Sequence, residues 1–388
     1  MNRNVFVLSC SMALGMSGAP AVTLLGGIIG ASFAPYPSWS TLPIATMVVG
    51  MAACTVPAAL LMKKIGRRPG FMIASFVTGI ACLGGIYAIH IESFFLLCLV
   101  ALFVGGNMAF VQQYRFAAAE SVYPHEVSKA VSIVLVGGIA AAFIGPEFAK
   151  QARELLPFGL YSGSFAALSL IYLVNGCVLG FLTEPEILED DRAGMERPIR
   201  EVIMQPIYIT AVLAALVSYG VMAFIMTAAP VSMHIIDHFS INETAWVIQS
   251  HVMAMFIPSL FTGILISRFG VSRVMLVGIT LLTACVAVAF INRHFIHYWA
   301  GMVLLGVGWN FLFVGATTLL TKCYQPSERF KAQAVNDFTV FGFQALASLS
   351  AGIVIFMAGW EIVNGISLPI LVVMFGIILK MKSKIEVL

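Results

Sequence analysis

Four ionisable side chains stand in or beside long apolar stretches of this chain: Arg115, Glu147, His251 and Asp337. A charge at the centre of a bilayer costs about 3 kcal/mol on insertion scales, so each one needs a partner or a task. Arg115 closes the polar run Gln112-Gln113-Tyr114-Arg115. Such a cation can hold an anionic solute or answer a protonatable carboxylate, or it can sit at the interface with its head in water. Asp337, beside Asn336, can carry a proton. It equally suits the positive end of a helix, as an anchor or gate against the cations Lys63, Arg67 and Arg68. His251, two residues after Gln249, titrates near neutrality and can couple protons, bind a solute or simply fill the interior. Glu147 follows Gly145-Pro146 with Lys150 one turn on, which fits an outer salt bridge or a proton entry. Asn107 and the pair Trp309-Asn310 offer groups for a polar solute or for hydrogen bonds between helices.

The elements that must position these residues follow from composition. Of 388 residues 60% are apolar and 10% charged, with mean hydropathy +0.98. A water-soluble domain carries about 25% charged residues, so the bilayer has to supply the apolar solvent. A spanning helix needs about 20 apolar residues. The pattern predicts an all-α polytopic protein with spans near 5–33, 39–62, 70–90, 93–115, 130–149, 160–182, 206–233, 244–266, 272–292, 296–320, 333–357 and 361–380. The first run is too long for the core of a signal peptide and reads as a span. Of the 21 Lys and Arg, Lys150, Arg153 and Arg293 fall on one side and Arg115 in or beside a span; the others share the side of the N-terminus. That bias predicts an inner-membrane protein with both termini in the cytoplasm.

Several chemistries find no support. The seven cysteines are scattered singly, without zinc or disulfide spacing. No nucleotide-binding loop, H-E-x-x-H or serine elbow occurs, which argues against ATP-driven transport, enzymatic activity, a metal or a cofactor.

The longest polar stretch, Thr183–Gln205, divides the chain into 1–182, a linker at 183–205, and 206–388. The two parts echo each other. Met16-Ser17-Gly18-Ala19-Pro20 answers Met226-Thr227-Ala228-Ala229-Pro230, 210 positions on. Ile65-Gly66 answers Phe269-Gly270 at 204, and Glu120–Pro124 with Lys129-Ala130 answers Lys322–Pro326 with Lys331-Ala332 at 202. Two parallel six-helix repeats can rock about a central site.

Local motifs carry the same resemblance. Ala59–Arg68 (ALLMKKIGRR) resembles the G-x-x-x-D-R-x-G-R-R loop of the major facilitator superfamily, with Ala59 and Lys63 as departures. Gly263 to Gly270 is similar, with Ser267 at the acidic position. Ala141 to Gly145-Pro146 resembles the G-x-x-x-G-P element of antiporter members. The chain is thus identified as a bacterial member of that superfamily. The resemblance implies a monomeric secondary transporter, proton-coupled, moving a small organic solute by alternating access, with no nucleic acid involved. Drug or metabolite efflux and uptake of a nutrient, vitamin or siderophore both stay open, as does a non-transporting receptor on the same scaffold.

Overall fold

The computed structural model describes residues 2–122, 127–183, 197–320, 322–325 and 328–386; the Lys63 side chain lies outside the described part. All regular elements among the described residues are helices, as expected where lipid offers the backbone no hydrogen bonds. Span one is two helices, Arg3–Met16 and Gly18–Phe33, interrupted at Ser17, whose N–H bonds Leu14 O. Spans two to six are Leu42–Ile65, Arg67–His90, Phe94–Val111 with the extension Tyr114–Glu120, Val127–Ala152 and Ser162–Leu179. Span seven, Pro206–Pro230, continues into a π-helical turn, Val231–Ile236. Span eight is broken by 42° between Ile241–Phe256 and Ser259–Phe269. Val271–Ala289 and Phe295–Leu320 are spans nine and ten.

The last two spans share one helical run. Arg329–Gly365 kinks at Gly359, where φ is +80°, and Ser367–Glu386 follows. Arg293 Nε donates to Glu361 Oε1 at 2.7 Å, while Ser272 Oγ donates to Glu386 Oε1 at 2.9 Å. Span twelve therefore runs antiparallel to span nine, and the chain reverses at Gly359. This completes twelve spans.

The halves are built alike. Spans one and five, two and four, and three and six pair in the first half, and their counterparts seven and eleven, eight and ten, and nine and twelve pair in the second; seven also packs on ten. Gly66 (φ +91°) and Gly270 (φ +86°) end spans two and eight in the same left-handed turn, which a side chain would strain. Asn2 Nδ2 donates to Ser121 O at 2.6 Å, and Gln205 Nε2 donates to Cys323 O at 2.9 Å, the matching contact of the second half. The halves meet where span two lies on eleven, five on eight, and one on seven and eight. The glycines of the span-five element seat span one, since a Cβ at Gly137 or Gly145 would strike the carbonyl oxygen of Ser9 or Ser17.

Residues 184–196, most of the expected linker, lie outside the described residues. Its ends are tied to different halves. Asn4 Nδ2 donates to Thr183 O at 2.8 Å, and Arg197 forms a bidentate pair with Glu328, both bonds 2.7 Å. Glu328 is 2% exposed; it also accepts from the backbone N–H of Arg197 and Gln325. The Arg197 guanidinium, aided by those N–H groups, holds its carboxyl down to about 2.

Candidate functional site at the meeting of the halves

Span four breaks at Gln112-Gln113, where backbone N–H groups still reach Met108 and Phe110. The next residue, Tyr114, turns into the first half: its ring meets Phe71 at 4.7 Å, and its hydroxyl accepts from Asn175 at 3.4 Å. Arg115, one position on and about 100° around the helix, addresses the second half instead. Its guanidinium acts electrostatically on the Asp337 carboxylate and the Tyr219 hydroxyl. Among the described residues, Arg115 is the cation acting on Asp337, which also accepts from Asn336 Nδ2 at 3.0 Å.

Around Tyr219 lies an aromatic cluster from three spans. Its ring is edge-on to Trp309 at 5.1 Å, to Phe313 at 4.9 Å and to Phe341 at 5.5 Å. Trp309 stacks on Phe313 at 5.1 Å and 18°. Each such pair adds about 1 kcal/mol beyond the area it buries. The spacing has a simple origin: Trp309/Phe313 and Asp337/Phe341 are i,i+4 pairs, so each shares a helix face. Spans ten and eleven both pack on span seven, which carries Tyr219. The arrangement offers flat apolar faces beside one cation and one carboxylate. Arg115 comes from the first half, and every other member from the second.

The remaining candidates lie elsewhere. Asn310 is consumed by structure: Nδ2 donates to Met255 O (2.8 Å) and Ser259 Oγ (2.6 Å), and Oδ1 accepts from Thr262 Oγ1 (2.7 Å). It thereby staples the break of span eight. His251 is fully buried, with Nδ1 at 2.8 Å from Met302 O on span ten, and Nε2 has no partner among the described residues. Glu147 forms the pair with Lys150 at 2.9 Å and accepts from Gln151 at 2.6 Å. Just beyond, a cleft of about 360 Å³ is lined by Lys150, Gln151, Arg153, Glu154, Ile241 and Asn242. Arg67 and Arg68 open span three after Gly66, while Ser267 bonds Ile264 O of its own helix at 2.9 Å.

Asn107 faces the interruption of span one. Val104, Asn107 and Val111 share a helix face; Val104 lies over Gly18 and Val111 over Gly15. Neither amide atom of Asn107 has a partner among the described residues, nor do the Tyr172 hydroxyl and Asn175 Oδ1 of span six. Tyr219, Phe313 and Phe341 were not singled out from sequence. Phe313 and Phe341 are marked by their i,i+4 spacing from Trp309 and Asp337, and Tyr219 carries no such signal.

Comparison with known proteins settles the family. The sequence profile of the Major Facilitator Superfamily matches residues 5–235 and 211–385. The chain belongs to this superfamily. A riboflavin transporter of Brucella anthropi, RfnT, is 38% identical over 98% of this chain and 96% of its own length. An uncharacterized MFS-type transporter of Bacillus subtilis, YdeG, is 29% identical over 91% of this chain and 86% of its own. A bacterial homologue of the human lysosomal transporter Spinster, solved inward-facing and occupied, superposes with a TM-score of 0.74 at 13% identity, covering 98% and 96% of the two chains. This superfamily member is therefore a multi-pass membrane transporter of a small solute, not an enzyme.

Proposed function

We propose that this transporter carries a flavin-type solute, riboflavin first among them, across the inner membrane by alternating access, with both termini in the cytoplasm. The observation that carries the reading is the aromatic cluster of Tyr219, Trp309, Phe313 and Phe341, with Asp337 one turn from Phe341 on span eleven. Ligand sites are mostly apolar walls with few placed polar groups, and a planar heteroaromatic ring matches such walls. The 38% identity to a riboflavin transporter, over nearly the full length of both chains, supports the same solute class.

Asp337 is the proton-coupling group in this reading. Arg115 reaches it electrostatically from the other half, so protonation of Asp337 removes an attraction between the halves. Coupling between the two halves through one titrating carboxylate gives alternating access a switch.

Proteoliposomes containing the purified protein test this. Wild type should accumulate labelled riboflavin under an imposed pH gradient. Asp337→Asn should keep riboflavin exchange and lose the gradient-driven part. Uptake by wild type that ignores the gradient would remove proton coupling, and absence of both binding and uptake would remove the flavin reading.

A further inference from the structure

Two buried polar atoms, on the spans that carry the aromatic cluster, lack a hydrogen-bond partner among the described residues: Trp309 Nε1 on span ten and Gln344 Oε1 on span eleven. Their residues are 5% and 7% exposed. Folded proteins leave few buried polar atoms unmatched, so each such atom asks for an explanation.

Their placement supplies one. Trp309 touches the Tyr219 ring directly. Gln344 lies on span eleven one turn beyond Phe341 and two beyond Asp337. At about 100° per residue it shares the helix face of Asp337, Phe341 and Ser348. That face meets span seven: Phe341 touches Tyr219, and Ser348 bonds Thr227 at 2.8 Å. Both unmatched residues therefore stand on helix faces that carry members of one aromatic cluster, Trp309 within it and Gln344 one turn from Phe341. One is a donor, because an indole nitrogen can only donate; the other is an acceptor. An anion would satisfy only the first, and a cation only the second.

We propose that Trp309 and Gln344 read the imide edge of a planar heterocycle, Trp309 donating to a ring carbonyl and Gln344 accepting from the ring N–H. The solute class is then a ring with adjoining C=O and N–H groups, as in the pyrimidinedione portion of a flavin. This rests on the flavin reading above and adds which edge of the solute is recognised. Arg115 and Asp337 offset each other's charge, which leaves neutral groups to recognise that edge.

Fluorescence titration of the purified full chain with lumiflavin and with N3-methyl-lumiflavin, which lacks the imide N–H, tests it. A site built around a hydrogen bond rejects the analogue that cannot make it, so wild type should bind lumiflavin about tenfold more tightly. Gln344→Leu should weaken lumiflavin alone and close the gap. Trp309→Phe keeps a ring but not the donor, and should weaken both ligands by a similar factor with the gap intact. Equal affinity of wild type for the two ligands overturns the inference and leaves the flavin reading standing, whatever the variants do. A gap that persists in folded Gln344→Leu overturns the role of Gln344. Failure of wild type to bind lumiflavin at all overturns the flavin reading itself.

Discussion

The two halves share a plan but treat their buried polar groups differently. In the second half, the break of span eight is closed by Asn310, whose amide makes three hydrogen bonds across it. In the first half, Tyr172 and Asn175 of span six lie against Gly18 and Gly15 at the interruption of span one, and they and Asn107 keep polar atoms without partners among the described residues. The terminal clamps differ in kind. Asn2 and Gln205 make matching amide-to-carbonyl bonds, but the first half adds the neutral Asn4 amide on Thr183 and the second the bidentate Arg197–Glu328 ion pair. The difference lies in where the unmatched atoms stand. The second half satisfies the break of span eight and leaves Trp309 and Gln344 unmatched on the spans that carry the aromatic cluster, whereas the first half, which presents Arg115, leaves its unmatched atoms around the interruption of span one.

The staple is where the comparison breaks most easily. Asn310→Ala removes all three bonds and strands buried partners, so it should lower unfolding stability in detergent by about 3 kcal/mol. Asn107→Leu replaces an unmatched amide with a side chain of similar size, and should change stability by less than about 1 kcal/mol. Equal losses in the two variants would erase the distinction between the halves.

The ion-pair clamp offers a pH test. Glu328 is held down to about 2, below its ordinary value of 4.5. A carboxyl lowered on folding contributes stability above its unfolded pKa and loses it as pH falls through the folded one. Protection of the Arg197–Ile203 backbone in hydrogen exchange should therefore persist to about pH 4.5 and fade toward 2. Glu328→Gln should weaken that protection at neutral pH and remove its acid dependence; an unchanged profile would show that the clamp contributes nothing.

The smallest effect belongs to the matched amides. Gln205→Ala loses one half-buried hydrogen bond, while Asn2→Ala loses one exposed bond and the cap bond it accepts from the Asn4 N–H, so each costs about 1 kcal/mol. Thermal unfolding of both variants should shift by similar small amounts. A much larger loss for Asn2 would mean that the first half depends on its clamp as heavily as the second.

Much of this architecture could be read from residue order. Apolar run lengths and the lysine and arginine bias describe the helical layers, and Gly66 and Gly270 mark the repeat because only glycine sits easily in that turn. The break at Gly359 was legible as a gap between two apolar runs, though one helical run carries both spans. The aromatic cluster was not legible. Tyr219, Phe313 and Phe341 look like any lipid-facing or packing ring until spans seven, ten and eleven are placed together. Trp309 and Asn310 are neighbours in sequence, yet 100° of helix rotation sends one to the aromatic cluster and the other to the span-eight break. Gln344 left a readable signal, a polar side chain within an apolar span, but its role depends on what packs opposite.

The central claim is that a flavin-type solute is carried at the meeting of the two halves. Riboflavin counterflow in proteoliposomes, comparing wild type with Arg115→Ala, tests it most directly. The account predicts robust counterflow by wild type and its loss in the variant, with the variant still folded and monodisperse. Binding without counterflow by wild type, or counterflow undiminished in Arg115→Ala, would contradict it.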